Sequence, residues 1–77
     1  MNIITLVGRL ATDPVLGSIV RDGEDVAICR FRLAVDRVGE GADFIPVTTF
    51  GNAAELHHRY LSKGRLVSVA GHLDRRR

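Results

Sequence analysis

Residues 27 to 35 alternate more cleanly than any other stretch of this chain. The odd positions Ala27, Cys29, Phe31, Leu33 and Val35 are all apolar, and Arg30 and Arg32 stand between them. A period of two sends successive side chains to opposite faces, so this is a strand with one dry face and one charged face. Such a strand needs a core beneath it and partners along its edges. It emerges from Arg21-Asp22-Gly23-Glu24-Asp25, where Asp-Gly is a strong signal for a two-residue hairpin turn. Residues 15 to 20 therefore read as a short strand leading into that hairpin.

The rest of the chain supplies the other partners. Residues 2 to 10 are β-branched and apolar and read as an opening strand, with Gly8 marking a bend or bulge. Asp13-Pro14 marks a turn. Gly39-Glu40-Gly41 forms a loop tip, and residues 44 to 50 form a further strand. Ile45, Val47 and Thr49 would face the core, while Phe44, Pro46, Thr48 and Phe50 share the other face. Pro46 has no N–H to give a ladder, so it favours an edge strand or a bulge. A helix over about residues 53 to 62 follows. Asn52 is its expected N-cap, Glu55 completes a capping box, and Leu56, Tyr60 and Leu61 make its apolar stripe. Lys63-Gly64 should end it. Residues 66 to 73 form a last strand, with Val67, Val69 and Gly71 on one face.

Seventy-seven residues hold one small core, and a chain of this size commonly gains stability by oligomerising. The net charge of +2 permits nucleic acid as a partner without requiring it. Cys29 is the single cysteine, so no intrachain disulfide forms, which fits a reducing compartment. The apolar N-terminus is too short to span a bilayer and lacks the marks of a signal peptide. These features indicate a soluble cytoplasmic protein.

Two phenylalanines on what should be a wet face call for an explanation. Phe44 and Phe50 share it with Thr48, and Arg30 and Arg32 lie on the equivalent face of the preceding strand. Exposed rings that stack on bases, beside cations that hold phosphates, suit a single-stranded nucleic acid. The same rings would also suit packing under a loop or in a subunit contact, and pattern alone leaves both readings open. Arg9, Arg21 and Arg37 are candidates to extend the positive track. Arg75, Arg76 and Arg77 read equally as a phosphate clamp or a frayed tail.

The ordered set of motifs resembles the bacterial single-stranded-DNA-binding protein family. Leu6-Val7-Gly8-Arg9-Leu10 with Asp13-Pro14 is similar to its opening strand, and Phe31-Arg32-Leu33-Ala34-Val35 to its second. Asp43-Phe44-Ile45-Pro46-Val47 and Phe50-Gly51 resemble its third. Ala53-Ala54-Glu55 and Tyr60-Leu61-Ser62-Lys63-Gly64 resemble its helix and cap, and Val69-Ala70-Gly71-His72-Leu73 its fourth strand. The resemblance implies an all-β oligonucleotide-binding (OB) barrel, with one helix between the third and fourth strands. It implies non-catalytic, largely sequence-independent binding of single-stranded DNA in replication, repair and recombination. It also implies a homotetramer in which opening strands pair across a dimer interface. Phe44 and Phe50 fall on the family's stacking positions, Lys63 on a basic position beside the helix cap, and Arg76 and Arg77 on a basic stretch after the fourth strand.

The chain departs from the family in several places. The loop at residues 37 to 41 carries no stacking aromatic and is short. The fifth strand and the acidic tail that recruits other proteins are missing, so residues 1 to 77 read as an incomplete OB domain. The expectation is weaker DNA binding and no tail-mediated partners. An assembly module or an RNA-binding barrel is the alternative.

No residues group for catalysis or metal binding. His57 and His58 are adjacent, point to different helix sides and read as ordinary surface histidines. Cys29 faces the core, and nothing pairs Asp13, Asp36 or Asp43 for acid–base work. No cofactor is expected.

Overall fold

The structure, a computed structural model, describes residues 2–74. The alternating stretch lies within a 13-residue strand whose full extent is Glu24–Asp36. Cys29, Phe31 and Leu33 are buried, while Arg30 and Arg32 are exposed. In chain order the elements are β1 (Ile4–Leu10), β2 (Val15–Arg21), β3 (Glu24–Asp36), β4 (Ala42–Phe50), α1 (Gly51–Tyr60) and β5 (Leu66–Gly71). Among the described residues no helix is long and apolar enough to cross a membrane.

β3 is the spine of the sheet. β4 runs antiparallel along one edge, from Ile28↔Phe50 to Asp36↔Ala42. The other edge takes β2 over most of its length, ending at Arg21↔Glu24. Asp22 (φ 52°) and Gly23 (φ 78°) make the turn between them. Two successive positive φ values are what a type I′ hairpin needs, and Asp-Gly supplies them at low strain. Past β2 the same edge of β3 takes the end of β1, through Arg9↔Ala34 and Leu10↔Leu33. β1 carries β5 on its far side, from Ile4↔Gly71 to Arg9↔Leu66. β1 and β2 thus act as two halves of one long, broken strand. Counted that way, the order is the expected OB arrangement, with α1 between the third and fourth barrel strands. β4 and β5 do not pair with each other, and among the described residues no strand bridges them.

The break lies at residues 11–14. Between Leu10↔Leu33 and Val15↔Arg30, those residues face only Phe31 and Arg32. The surplus folds into a corner with its own bonds. The Ala11 N–H donates to the Arg32 carbonyl at 2.7 Å. The Arg32 N–H donates to Thr12 Oγ1 at 3.0 Å. The Lys63 N–H donates to Asp13 Oδ1 at 2.8 Å. The Gly64 N–H donates to the Leu10 carbonyl at 2.8 Å, and the Leu10 N–H donates to that of Arg65 at 3.0 Å. The corner therefore joins β1, β3 and the chain leaving α1.

Gly8 is not the bend that its residue type suggested. It sits inside the β1–β5 ladder opposite Val67. Its role is close approach, because a Cβ there would collide with the Ala34 carbonyl oxygen. Pro46 lies on β4, an edge strand, opposite Arg32, as its missing N–H requires.

The helix differs from expectation at both ends and on its buried face. It starts at Gly51, with Phe50 at the N-cap position and no side chain capping it, so the Asn52 cap and the Glu55 capping box do not form. It stops at Tyr60, with Leu61 at the C-cap. Gly64 (φ 92°) serves the following turn, where the Arg65 N–H donates to the Ser62 carbonyl. Leu56 and Tyr60 are exposed. Leu61 alone of the expected stripe is half-buried against the core, and the helix adds buried Ala54 and half-buried His57 beside it. Positions 54, 57 and 61 recur at helical spacing as well as 56 and 60 do. A small residue wins the contact because α1 packs tightly on β3, where Ala54 joins Leu10, Cys29, Phe31 and Leu33 in the core. A cavity of about 460 Å³ lies along β5, lined by Phe31, His57, Leu61, Val67 and Val69 among others, on the side where β4 and β5 stay apart.

Gly8→Ala should destabilise the fold by about 1–3 kcal/mol, the usual cost of overpacking, because its backbone φ is not positive and the conflict is steric. Urea unfolding followed by circular dichroism should show a lower midpoint at unchanged slope.

Candidate nucleic-acid interface

The register of β3 against β4 builds one continuous surface. On β3 it runs Ala34, Arg32 and Arg30 and ends at the buried Ile28, and directly opposite on β4 it runs Phe44, Pro46, Thr48, Phe50. Paired residues in a ladder share a face, so the two guanidinium groups lie between the two rings. Six residues of strand separate the rings by about 20 Å. Phe44 is 59% exposed and Phe50 44%, so neither ring is packed under a loop. Pro46 is exposed and Thr48 half-buried.

Two further members of this surface carry no signal in the sequence pattern. Thr12 and Val15, with Arg30, Arg32, Pro46 and Thr48, line a shallow groove of about 340 Å³. They enter it because the corner at residues 11–14 folds back over Arg32, and only the hydrogen bonds of that corner reveal the approach. Val15 lies directly across β3 from Thr48, with Arg30 between. The groove is apolar in its floor and carries cations at its rim, an arrangement that accepts a flat ring and holds an anion beside it.

The remaining basic residues divide. The Lys63 backbone is tied to Asp13 at the edge of the groove, and its side chain is exposed. Arg9 turns away, its guanidinium donating to the Gly64 carbonyl at 3.0 Å. Arg37 sits beside Asp43 at 3.8 Å with both side chains exposed, which leaves it partly neutralised near Phe44. Arg21 reaches diagonally across the sheet, and its guanidinium carbon lies 5.4 Å from the centre of the Phe50 ring. Arg75, Arg76 and Arg77 lie outside the described residues.

Among the described residues no three His, Cys, Asp or Glu side chains gather as metal ligands. His57 is not a surface histidine. It is half-buried, and its Nδ1 lies 3.0 Å from Thr49 Oγ1, joining α1 to β4. Cys29 is fully buried, and burial pushes its thiol up from the ordinary value, so it stays neutral.

Comparison with known proteins places these features in context. Residues 1–77 match the single-strand binding protein family. Single-stranded DNA-binding protein 2 of Clostridium acetobutylicum is 46% identical over 81 residues, covering 99% of this chain and 59% of that protein. The single-stranded DNA-binding protein of Clostridium tetani is 42% identical, covering 99% of this chain and 54% of that protein. That of Thermotoga maritima is 38% identical, with coverage of 99% and 57%. The chain therefore spans less than two thirds of the length of these relatives.

The buried thiol of Cys29 in the core yields a measurable pH effect. A raised native pKa means that the unfolded chain loses the thiol proton first as pH rises. Stability should hold below the ordinary thiol pKa and fall above it. Denaturant midpoints across the alkaline range should show the fall. In Cys29→Ala that component should be absent, on a lower baseline left by the vacated core volume.

Proposed function

Because the chain belongs to the single-strand binding protein family, we propose that it binds single-stranded DNA, without catalysis and largely without regard to sequence, through the β3–β4 face. The observation that carries this reading is the placing of Arg30 and Arg32 between two wet rings on one continuous surface. Phe44 and Phe50 stack bases. Arg30 and Arg32 neutralise phosphates, and Lys63, with Arg75, Arg76 and Arg77, extends that neutralisation. Thr48 supplies a hydroxyl at the groove rim. Each stacked base contributes on the order of 1–3 kcal/mol, and each neutralised phosphate releases counterions. The host processes are replication, repair and recombination in the cytoplasm.

The chain acts as a homo-oligomer, a tetramer in the family's manner. Support comes from β1. Its Ile4–Gly71 to Arg9–Leu66 pairing occupies one edge, while β3 covers only Arg9 and Leu10 on the other. The free stretch of that edge can pair with the same strand of a second copy. Ile3 and Val7, 69% and 58% exposed, offer apolar area to bury there.

Anisotropy of a labelled oligo-dT should show binding that weakens steeply with salt. Phe44→Ala should cost about 1–3 kcal/mol at every salt concentration. Replacing Arg30 or Arg32 with Gln should lower the salt slope by about 0.7 for each charge removed. A folded chain with no affinity at low salt would leave the face as an assembly surface, and a matched RNA that binds more tightly than DNA would reassign the ligand.

Light scattering should give a native mass that is a multiple of the 8.4 kDa chain. Val7→Lys should shift that mass toward the single chain.

A further inference from the structure

Arg21 occupies the surface on which Phe50 would take a base. β2 pairs with β3 through Gly17↔Ile28, Ile19↔Val26 and Arg21↔Glu24, and Ile28 pairs in turn with Phe50. Paired residues point the same way, and every second residue of β2 does too. Arg21 therefore lies on the same face as Phe50, Arg30 and Arg32, at the turn end of the hairpin. The diagonal from Arg21, level with Glu24, to Phe50, level with Ile28, crosses β3 at the half-buried Val26. The guanidinium carbon reaches to 5.4 Å from the ring centre.

That spacing is a direct cation–ring contact, with no room for a base between the two groups. A base stacked on both sides needs two successive contact distances of about 3.5 Å each, or about 7 Å in total. The guanidinium must therefore back away by about 2 Å. Arg21 is exposed and stands at the end of a strand, beside a two-residue turn, so its long side chain can make that movement without disturbing a ladder bond. A guanidinium is planar and stacks on aromatic faces, which a lysine ammonium does not do in the same way.

We propose that Arg21 and Phe50 are the two walls of a base-binding slot, closed on each other in the free protein and opened by one nucleobase that inserts between them. The proposal rests on the single-strand reading of this face and adds a wall that stacking on Phe50 alone lacks. The closed contact holds the ring in place before the ligand arrives. The open slot holds the base from both sides, with the cation on the solvent side.

The test uses oligo-dT and an abasic oligomer of the same length, which keeps the sugar–phosphate chain and lacks the bases. Arg21→Ala should lower oligo-dT affinity about fivefold and leave abasic affinity nearly unchanged. Arg21→Lys should keep the salt slope of the parent chain and recover little of the lost affinity. In a Phe50→Leu background the Arg21→Ala loss should largely disappear. Thermal melts of each variant check that the fold persists, and the Arg21 comparison between the two oligomers stands without the Phe50 variant. Equal losses on both oligomers, with a salt slope lowered by about 0.7, would make Arg21 a phosphate contact and overturn the slot. A gain in oligo-dT affinity on Arg21→Ala would make it a competitor for the ring and overturn the slot as well. Failure of the folded parent chain to bind oligo-dT at low salt would overturn the single-strand reading itself, and the slot with it.

Discussion

The division of β3 into a dry face and a charged face is the constraint on which the rest of this structure depends. Cys29, Phe31 and Leu33 are buried, and Arg30 and Arg32 are exposed between them. A slip of one residue against any neighbour would drive both guanidinium groups into the core and expose Phe31 and Leu33. No neighbour can therefore slide, and each inherits its register from this strand. β4 places Phe44 and Phe50 on the wet side for that reason, and β2 places Arg21 there for the same reason. One pattern thus sets both the packing of the core and the composition of the candidate interface.

The corner at residues 11–14 turns a flat ribbon toward a barrel. It lets a single chain run antiparallel along the same edge of β3 twice, first as the end of β1 and then as β2. Its bonds to Arg32 and Lys63 fix the angle. The same corner brings Thr12 and Val15 against the groove. Curvature and ligand surface are produced by the same few residues, in keeping with the tendency of barrel bends to carry binding groups.

The features legible in the sequence were those that a period or a turn type determines. Alternation over residues 27–35 gave the inner and outer faces of β3. Asp22-Gly23 gave the hairpin, and Pro46 gave the edge strand. Phe44 and Phe50 showed as anomalies on a wet face before any partner was known. The misreadings came where two options shared one pattern. A ten-residue helix offers Leu56 and Tyr60 or Ala54 and His57 at helical spacing, either set leading to Leu61 at the C-cap, and the depth available over β3 chooses the small residue. Gly8 reads as a bend until the Ala34 carbonyl is seen against it. Arg21 reaches Phe50 diagonally across β3, a contact that no local rule in either segment encodes.

The ladder between β1 and β5 joins segments at opposite ends of the described chain, and Asn2 and Leu73 exchange hydrogen bonds across 71 residues. The β2–β3 and β3–β4 hairpins, by contrast, close over a few residues each. Closing a short loop costs far less chain entropy than closing a long one. The three-strand meander can therefore assemble first as a local unit, and β1 and β5 complete the sheet only when the ends meet. High contact order of this kind slows folding, because the chain entropy of the long closure is lost before its contacts form. The core that Leu10 completes stays exposed until then, and a newly made chain carries its open sheet edges through that interval.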